Sequence, residues 1–238
     1  MKPRFKRILL KPSGENLGGE SGTGFDFSAI RALSEKICQI HDLGVEIALV
    51  LGGGNFFRGT REIPFEMDRV AADHIGMLAT IMNGICVKES LIAMGKQAVV
   101  MNGLAVPSIA DSFQKEKAVE HLQQNRIVVF TGGTGNPYFS TDTAAVLRGL
   151  QIDADIIIKG TKVDAVYDAD PVTNPGAKKY NTLSYTQVLE KDLKVMDATA
   201  IALCRDNNIP LSVLSVVNQT DLNDFILGKE VGTLITGS

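Results

Sequence analysis

Histidine and cysteine are scarce in this chain, with three of each in 238 residues. His41, His74 and His121 show no ligand-like spacing. Cys38, Cys86 and Cys204 are odd in number, widely separated and each set in a helical pattern. This argues against a catalytic transition metal, a zinc site or a disulfide framework, and buried reduced thiols are the expected state. A dominant charge is lacking too. Lys and Arg total 24 against 27 Asp and Glu, a formal net charge of −3. No basic footprint for nucleic acid results, so any nucleotide bound is expected to be small. No apolar run reaches membrane length, and the basic stretch 1–7 is followed only by Ile8-Leu9-Leu10, far short of a signal-peptide core. The expectation is a cytoplasmic protein with no membrane partner. Also missing are the G-x-x-x-x-G-K-[ST] phosphate loop, the H-R-D and D-F-G pair of protein kinases, and the G-x-S-x-G elbow.

What is present has the composition of a globular enzyme, 45% hydrophobic and 21% charged. The length suits one large α/β domain or two lobes sharing a sheet. Apolar runs with β-branched enrichment at 8–11, 45–51, 98–101, 127–130, 155–159 and 211–217 read as strands. Between the first two, Ile30, Leu33, Ile37, Ile40 and Leu43 keep helical spacing, closed by Gly44. A long helix is expected from about Pro64 to Met94, ended by Gly95, and shorter ones at 115–124, 142–150, 196–207 and 220–227. Strands followed by helices in this order predict a mostly parallel sheet covered on both faces. The least regular stretch, 161–184, reads as a functional excursion beyond the C-terminal ends of the strands, where open α/β sheets bind ligands.

Three glycine-rich turns follow strands: Lys11-Pro12-Ser13-Gly14, Gly52-Gly53-Gly54-Asn55-Phe56-Phe57-Arg58-Gly59, and Thr131-Gly132-Gly133-Thr134-Gly135-Asn136-Pro137. Glycine lets backbone N–H groups approach an anion closely, and Lys11 and Arg58 add full charge. Three such turns suggest more phosphates than one mononucleotide carries, which points to phosphoryl transfer. Read from its residues alone, Asp73 belongs on a solvated helix face. Ser140 or Thr141 reads as a helix N-cap with Asp142 in the first turn. The preceding hydroxyls, amide and glycine offer donors and acceptors to a base and a phosphate. Tyr167 and Asp170 would suit an adenine face and a ribose, or else simply anchor a turn at Asp170-Pro171. Capping alone explains Asp197; facing a site, it would orient Lys11 or a Mg²⁺ ion.

With these segments assembled, the chain closely resembles the uridylate kinase branch of the amino acid kinase family. The resemblance is carried by Lys6-Arg7-Ile8-Leu9-Leu10-Lys11 with Ser13-Gly14-Glu15, by stretches 52–59, 73–84, 134–142, 159–171 and 193–197, and by Gly232-Thr233-Leu234-Ile235-Thr236. It implies a three-layer α/β/α sandwich forming one domain over 1–238, with residues to about 150 binding the acceptor UMP and 151–238 binding ATP. By motif, UMP falls to Gly53, Asp73 and the run Thr134-Gly135-Asn136-Pro137-Tyr138-Phe139-Ser140-Thr141. ATP, with Mg²⁺, falls to Lys11, Ser13, Gly14, Gly54, Arg58, Thr161, Tyr167 and Asp170. Asp142 and Asp197 would organise lysine or metal beside the catalytic Lys11 and Arg58. The resemblance further implies a homohexamer in pyrimidine biosynthesis, inhibited by UTP, with Gly19-Glu20-Ser21-Gly22-Thr23-Gly24 matching a region linked to GTP activation. Pro12 is a departure, since the family usually places leucine there, and it removes one backbone N–H beside the phosphate site. Two rival readings are phosphorylation of a carboxylate or carbamate, and a UMP or UTP sensor without turnover.

Overall fold

Strand β1 (Arg7–Pro12) is buried along its whole length, as expected of a strand in the middle of a parallel sheet with both faces covered. The computed structural model describes residues 2–57, 65–218 and 220–237. Beside β1 lie β2 (Glu46–Val50) and β6 (Ile156–Thr161). Beyond β2 come β5 (Ile127–Thr131), β3 (Ala98–Asn102) and the short β4 (Asp111–Ser112); beyond β6 come β10 (Leu211–Ser215), β11 (Thr233–Thr236) and β9 (Thr182–Ser184). The nine strands follow the order β4-β3-β5-β2-β1-β6-β10-β11-β9, and every pairing is parallel except β10 with β11.

Strand side chains alternate between faces, and each face finds its own helices. Leu9 and Ile157 pack with residues of α3 (Lys115–Gln123), α4 (Thr141–Gln151), α5 (Tyr185–Glu190) and α6 (Ala198–Asn207). Ile8, Leu10, Ile156 and Ile158 pack with α1 (Phe27–Asp42), α2 (Arg69–Ala93) and α7 (Asp221–Ile226). Each such fully buried aliphatic side chain contributes about 1.5–3 kcal/mol. The result is the three-layer sandwich with a mostly parallel sheet that the alternation of elements leads one to expect.

The expected elements shift by a few residues; β4, α5 and β11 are not among them, and two further places differ. α2 starts at Arg69 behind the N-cap Asp68, whose carboxylate accepts from the Ala71 N–H; Pro64 lies outside the described residues. The excursion at 161–184 holds a two-stranded hairpin of β7 (Val166–Tyr167) and β8 (Lys179–Tyr180), and then β9. Strands of two or three residues carry no readable period. α2 is also long and apolar enough, by length and composition, to cross a membrane. That departs from the expectation of no membrane-length stretch, because small and apolar residues are spread around the helix rather than run together. One side of α2 is packed in the core through Val87 and Leu91, while Ile75, Leu78, Met82 and Ile92 stand exposed.

Pro12 does not break β1. It pairs in register with Gly160, and the next residue, Ser13, still donates its N–H to the Gly160 carbonyl at 3.3 Å. Residues alternate their hydrogen-bonding edge along a parallel strand, so the Pro12 nitrogen faces β2, whose register with β1 ends at Leu10 and Leu49. The missing N–H therefore costs no ladder bond.

Candidate active site

Lys11 and Lys159 are register partners on the neighbouring strands β1 and β6. Both side chains thus leave the sheet on the face that Leu9 and Ile157 occupy, toward α4. α4 begins at this spot because Ser140 caps it, its hydroxyl accepting from the N–H groups of Asp142 and Thr143. Asp142, in the first turn, carries one oxygen 2.6 Å from Lys11 Nζ and the other 3.0 Å from Lys159 Nζ. Burial pushes the Asp142 carboxyl up, but the two ammonium groups outweigh burial and hold it below the usual carboxylate range. Burial, with Lys11 adding to it, pulls Lys159 below the ordinary lysine range against the opposing pull of Asp142. Two cations converge on one carboxylate in a nearly dry setting, with Asp197 adding a weaker pull on Lys159. Fixed charge of this kind is suited to stabilising a transferring phosphoryl group.

Asp197 does not take part in that cluster as an orienter of Lys11. It caps α6 by accepting from the Ala200 N–H, and it accepts from the hydroxyls of Ser140 and, at 3.0 Å, Thr143. One carboxylate therefore joins the N-termini of α4 and α6, and Lys11 is oriented by Asp142 instead. Lys159 donates in addition to the Val195 carbonyl just ahead of α6, which ties stretch 193–197 to the cluster.

The first two glycine turns touch each other. A Cβ on Gly14 would lie 2.5 Å from the Gly52 carbonyl oxygen and 2.8 Å from the Gly54 nitrogen. The N–H groups of Gly52, Gly53 and Gly54 find no acceptor among the described residues, which leaves them available to an anion. Gly14→Ala is expected to force the two turns apart and to lower kcat about 100-fold, the scale of an ångström-sized misplacement near the chemistry. Kinetics on variant protein shown by circular dichroism to be folded would check this. Arg58 lies outside the described residues.

A cavity of ≈140 Å³ opens next to these turns, bordered by Gly53, Asp73, Gly76, Thr80, Phe139 and Thr141 among others. Asp73 thus faces a pocket rather than open solvent. Its carboxylate accepts from Arg69 Nε at 2.9 Å and from the Tyr138 N–H at 2.7 Å. Tyr138 adopts the left-handed φ of 69°, and the Arg69 guanidinium sits 5.3 Å from its ring centre. Asp73 and Arg69 together hold the loop in this otherwise costly conformation. Thr134 accepts from the Asn136 N–H at 3.1 Å, so Thr134, Gly135, Asn136 and Pro137 form a compact turn on the same loop. Thr141 is not the cap; Ser140 is, which frees the Thr141 side chain to border the cavity.

At the end of β6, Thr161 donates its hydroxyl to the Val163 carbonyl. Tyr167 donates its hydroxyl to Asp164 at 2.7 Å, and Asp164 also pairs with Lys179 at 3.0 Å. The Asp170 carboxylate accepts from the Val172 N–H, which is the turn-anchoring role. Gly19 and Glu20 border a separate cavity of ≈460 Å³ against Leu33 of α1. Gly24 is bonded through Asn55 to the second glycine turn. Among the described residues no cluster of three or more His, Cys, Asp or Glu could cage a metal ion.

Sequence reading alone gave no role to Lys159, Arg69, Asn55 or Asn83. Lys159 had an available signal. Ile156-Ile157-Ile158-Lys159 repeats the pattern Ile8-Leu9-Leu10-Lys11, a lysine closing a fully apolar strand.

Residues 6–215 match the amino acid kinase family. Among solved structures the chain is similar to a UMP kinase from Bacillus anthracis at 36% identity, with a TM-score of 0.94 and coverage of 98% of this chain and 96% of that one. A UMP kinase from Ureaplasma parvum is 34% identical with a TM-score of 0.91, covering 98% and 99%. A uridylate kinase from Archaeoglobus fulgidus is 25% identical with a TM-score of 0.73, covering 96% and 99%.

Proposed function

We infer the activity from one premise: the chain belongs to the amino acid kinase family. It is a nucleoside monophosphate kinase that transfers the γ-phosphoryl group of ATP to UMP, giving UDP and ADP. The observation that carries the chemistry is the pair of lysines held by Asp142 at the start of α4, next to a cavity bordered by Gly53, Asp73 and Thr141. A phosphate oxygen of UMP, already an anion at neutral pH, attacks the γ-phosphorus in line, and the bond to the bridging oxygen breaks to release ADP. No strong general base is needed, so the protein contributes positioning and charge neutralisation. Lys11 and Lys159 supply full charges, and the N–H groups of Gly52, Gly53 and Gly54, which find no acceptor among the described residues, supply donors.

The part up to about residue 150 is assigned to UMP and the part from 151 to ATP, with Thr161, Tyr167 and Asp170 on the ATP side. Mg²⁺ bound with ATP would supply charge neutralisation on the polyphosphate. Asp142 is already shared by two lysines and Asp197 by two hydroxyls and an N–H, so these residues fit an ion carried in on ATP better than one held by the protein. The exposed stripe of Ile75, Leu78, Met82 and Ile92 on α2 suits contact between copies of the chain and supports a homo-oligomer, with the hexamer resting on the resemblance alone. UTP inhibition, GTP activation through residues 19–24, a place in pyrimidine biosynthesis and a cytoplasmic location rest on that resemblance as well.

Asp73→Ala is expected to raise the KM for UMP well above any change in the KM for ATP, because Asp73 borders the acceptor cavity and bonds the Tyr138 N–H. Steady-state kinetics with each substrate varied in turn would check the ranking, and the reverse ranking would place the two pockets the other way round. The activity itself is tested by following phosphorus resonances in a mixture of protein, ATP, Mg²⁺ and UMP. UDP should grow in step with ADP; ADP without UDP would mean hydrolysis instead of transfer.

A further inference from the structure

Asn55 and Asn83 form a buried amide pair that the transfer reaction described above does not use. Asn83 is 0% and Asn55 2% exposed. Asn83 Nδ2 donates to Asn55 Oδ1 at 2.7 Å, and Asn55 Nδ2 donates back to Asn83 Oδ1 at 3.0 Å. Each amide has one further donor. Asn83 gives it to the Gly52 carbonyl at 2.7 Å, and Asn55 gives it to the Gly24 carbonyl at 2.8 Å. The Gly24 N–H returns a bond to the Asn55 carbonyl at 2.8 Å. Every amide hydrogen thus has an acceptor, and a fully satisfied buried network of this kind fixes one geometry.

The bond to Gly52 has a consequence for the phosphate site. A peptide is planar, and in the trans form its C=O and the following N–H point to opposite sides; no cis peptide occurs among the described residues. Asn83 holds the Gly52 oxygen toward α2, and this turns the Gly53 N–H the other way. Gly53 itself borders the cavity shared with Asp73 and Thr141, and its N–H finds no acceptor among the described residues. Were the Gly52–Gly53 peptide to rotate, it would present a carbonyl oxygen where an anion is to bind. Glycine on both sides makes that rotation cheap, so something outside the loop must prevent it.

We propose that Asn83, braced by Asn55, is the positioning residue that locks the Gly52–Gly53 peptide with its N–H toward the phosphate, so that intact phosphate binding depends on a helix residue that never touches substrate. The proposal rests on the kinase reading for its ligand and on the hydrogen bonds for its geometry. Because Asn55 also holds Gly24, stretch 18–24 is mechanically joined to the same peptide.

The test compares wild type with Asn83→Ala and Asn55→Ala. Asn83→Ala is expected to lower kcat about 100-fold, the scale of losing one backbone oxyanion donor. Asn55→Ala keeps the Asn83 bond to Gly52 and is expected to lose about fivefold, the net worth of one supporting hydrogen bond. The double variant should be no worse than Asn83→Ala alone, since the two act as a unit. A second readout is independent of turnover. In wild type the Gly53 amide resonance should shift on titration with inorganic phosphate, and in Asn83→Ala that response should vanish. A folded Asn83→Ala protein with wild-type kcat and an intact Gly53 response would overturn the proposal. Should Asn83→Ala fail to fold, an unchanged kcat and phosphate response in Asn55→Ala would overturn it equally. Wild-type protein that makes no UDP would instead overturn the kinase reading and leave the phosphate titration to decide this point.

Discussion

Lys11→Ala is expected to lower kcat at least ~100-fold, the scale set by removing one preorganised oxyanion donor. The side chain lies at the end of a strand buried on both faces, and its ammonium is fixed 2.6 Å from Asp142. It therefore needs little reorganisation to meet charge developing on the γ-phosphoryl group. With Lys11 gone, Lys159 still pairs with Asp142 at 3.0 Å, so the fold and the start of α4 should persist. Loss of turnover with only a small change in melting temperature is the expected pattern. Near-normal turnover in folded Lys11→Ala protein would remove Lys11 from the chemistry and shift its role to Lys159 or to residues outside those described.

Asp142→Asn is expected to damage both stability and turnover. The substitution keeps shape and removes only charge, which strands the two ammonium groups of Lys11 and Lys159 against each other. Removing one partner of a buried ion cluster costs about 3–5 kcal/mol, and both lysines then lose the group that aims them. The sign of the pH effect follows from the direction of the Asp142 shift. Its folded-state value lies below the ordinary one, so its contribution is complete above the unfolded carboxylate range near about pH 4 and is lost as pH falls through the folded value. At neutral pH the wild type has the contribution in full and the variant lacks it. ATP brings negative charge to the same lysines, so the gain in melting temperature on adding ATP should be larger in Asp142→Asn than in wild type. Thermal melts with and without nucleotide check this. Equal gains in the two proteins would mean that the lysines do not meet the polyphosphate.

The sandwich itself was legible because the central strands are short apolar runs and the longer covering helices each have their own period. Ile156-Ile157-Ile158 needs no partner to read as a buried strand. The short strands β4, β7, β8, β9 and β11 were not legible, since two to four residues hold no period. Lys11, the glycine turns and the α4 cap were also readable, because each is local chemistry. Lys159 is legible only as a second lysine closing an apolar strand; its role comes from the register that sets it beside Lys11, a long-range fact absent from local spacing. Asp73 read as solvated for the same reason: the Tyr138 N–H and the cavity reach it only after the loop folds over α2. Asn55 and Asn83 look like ordinary polar residues until their amides are seen to meet.

UMP phosphorylation is tested most directly by ADP release from purified protein with ATP and Mg²⁺, offering UMP, CMP, AMP and N-acetylglutamate as acceptors in separate reactions. Turnover confined to UMP is the expected result. Turnover with N-acetylglutamate, or silence with all four acceptors despite tight binding of UMP or UTP, would contradict it.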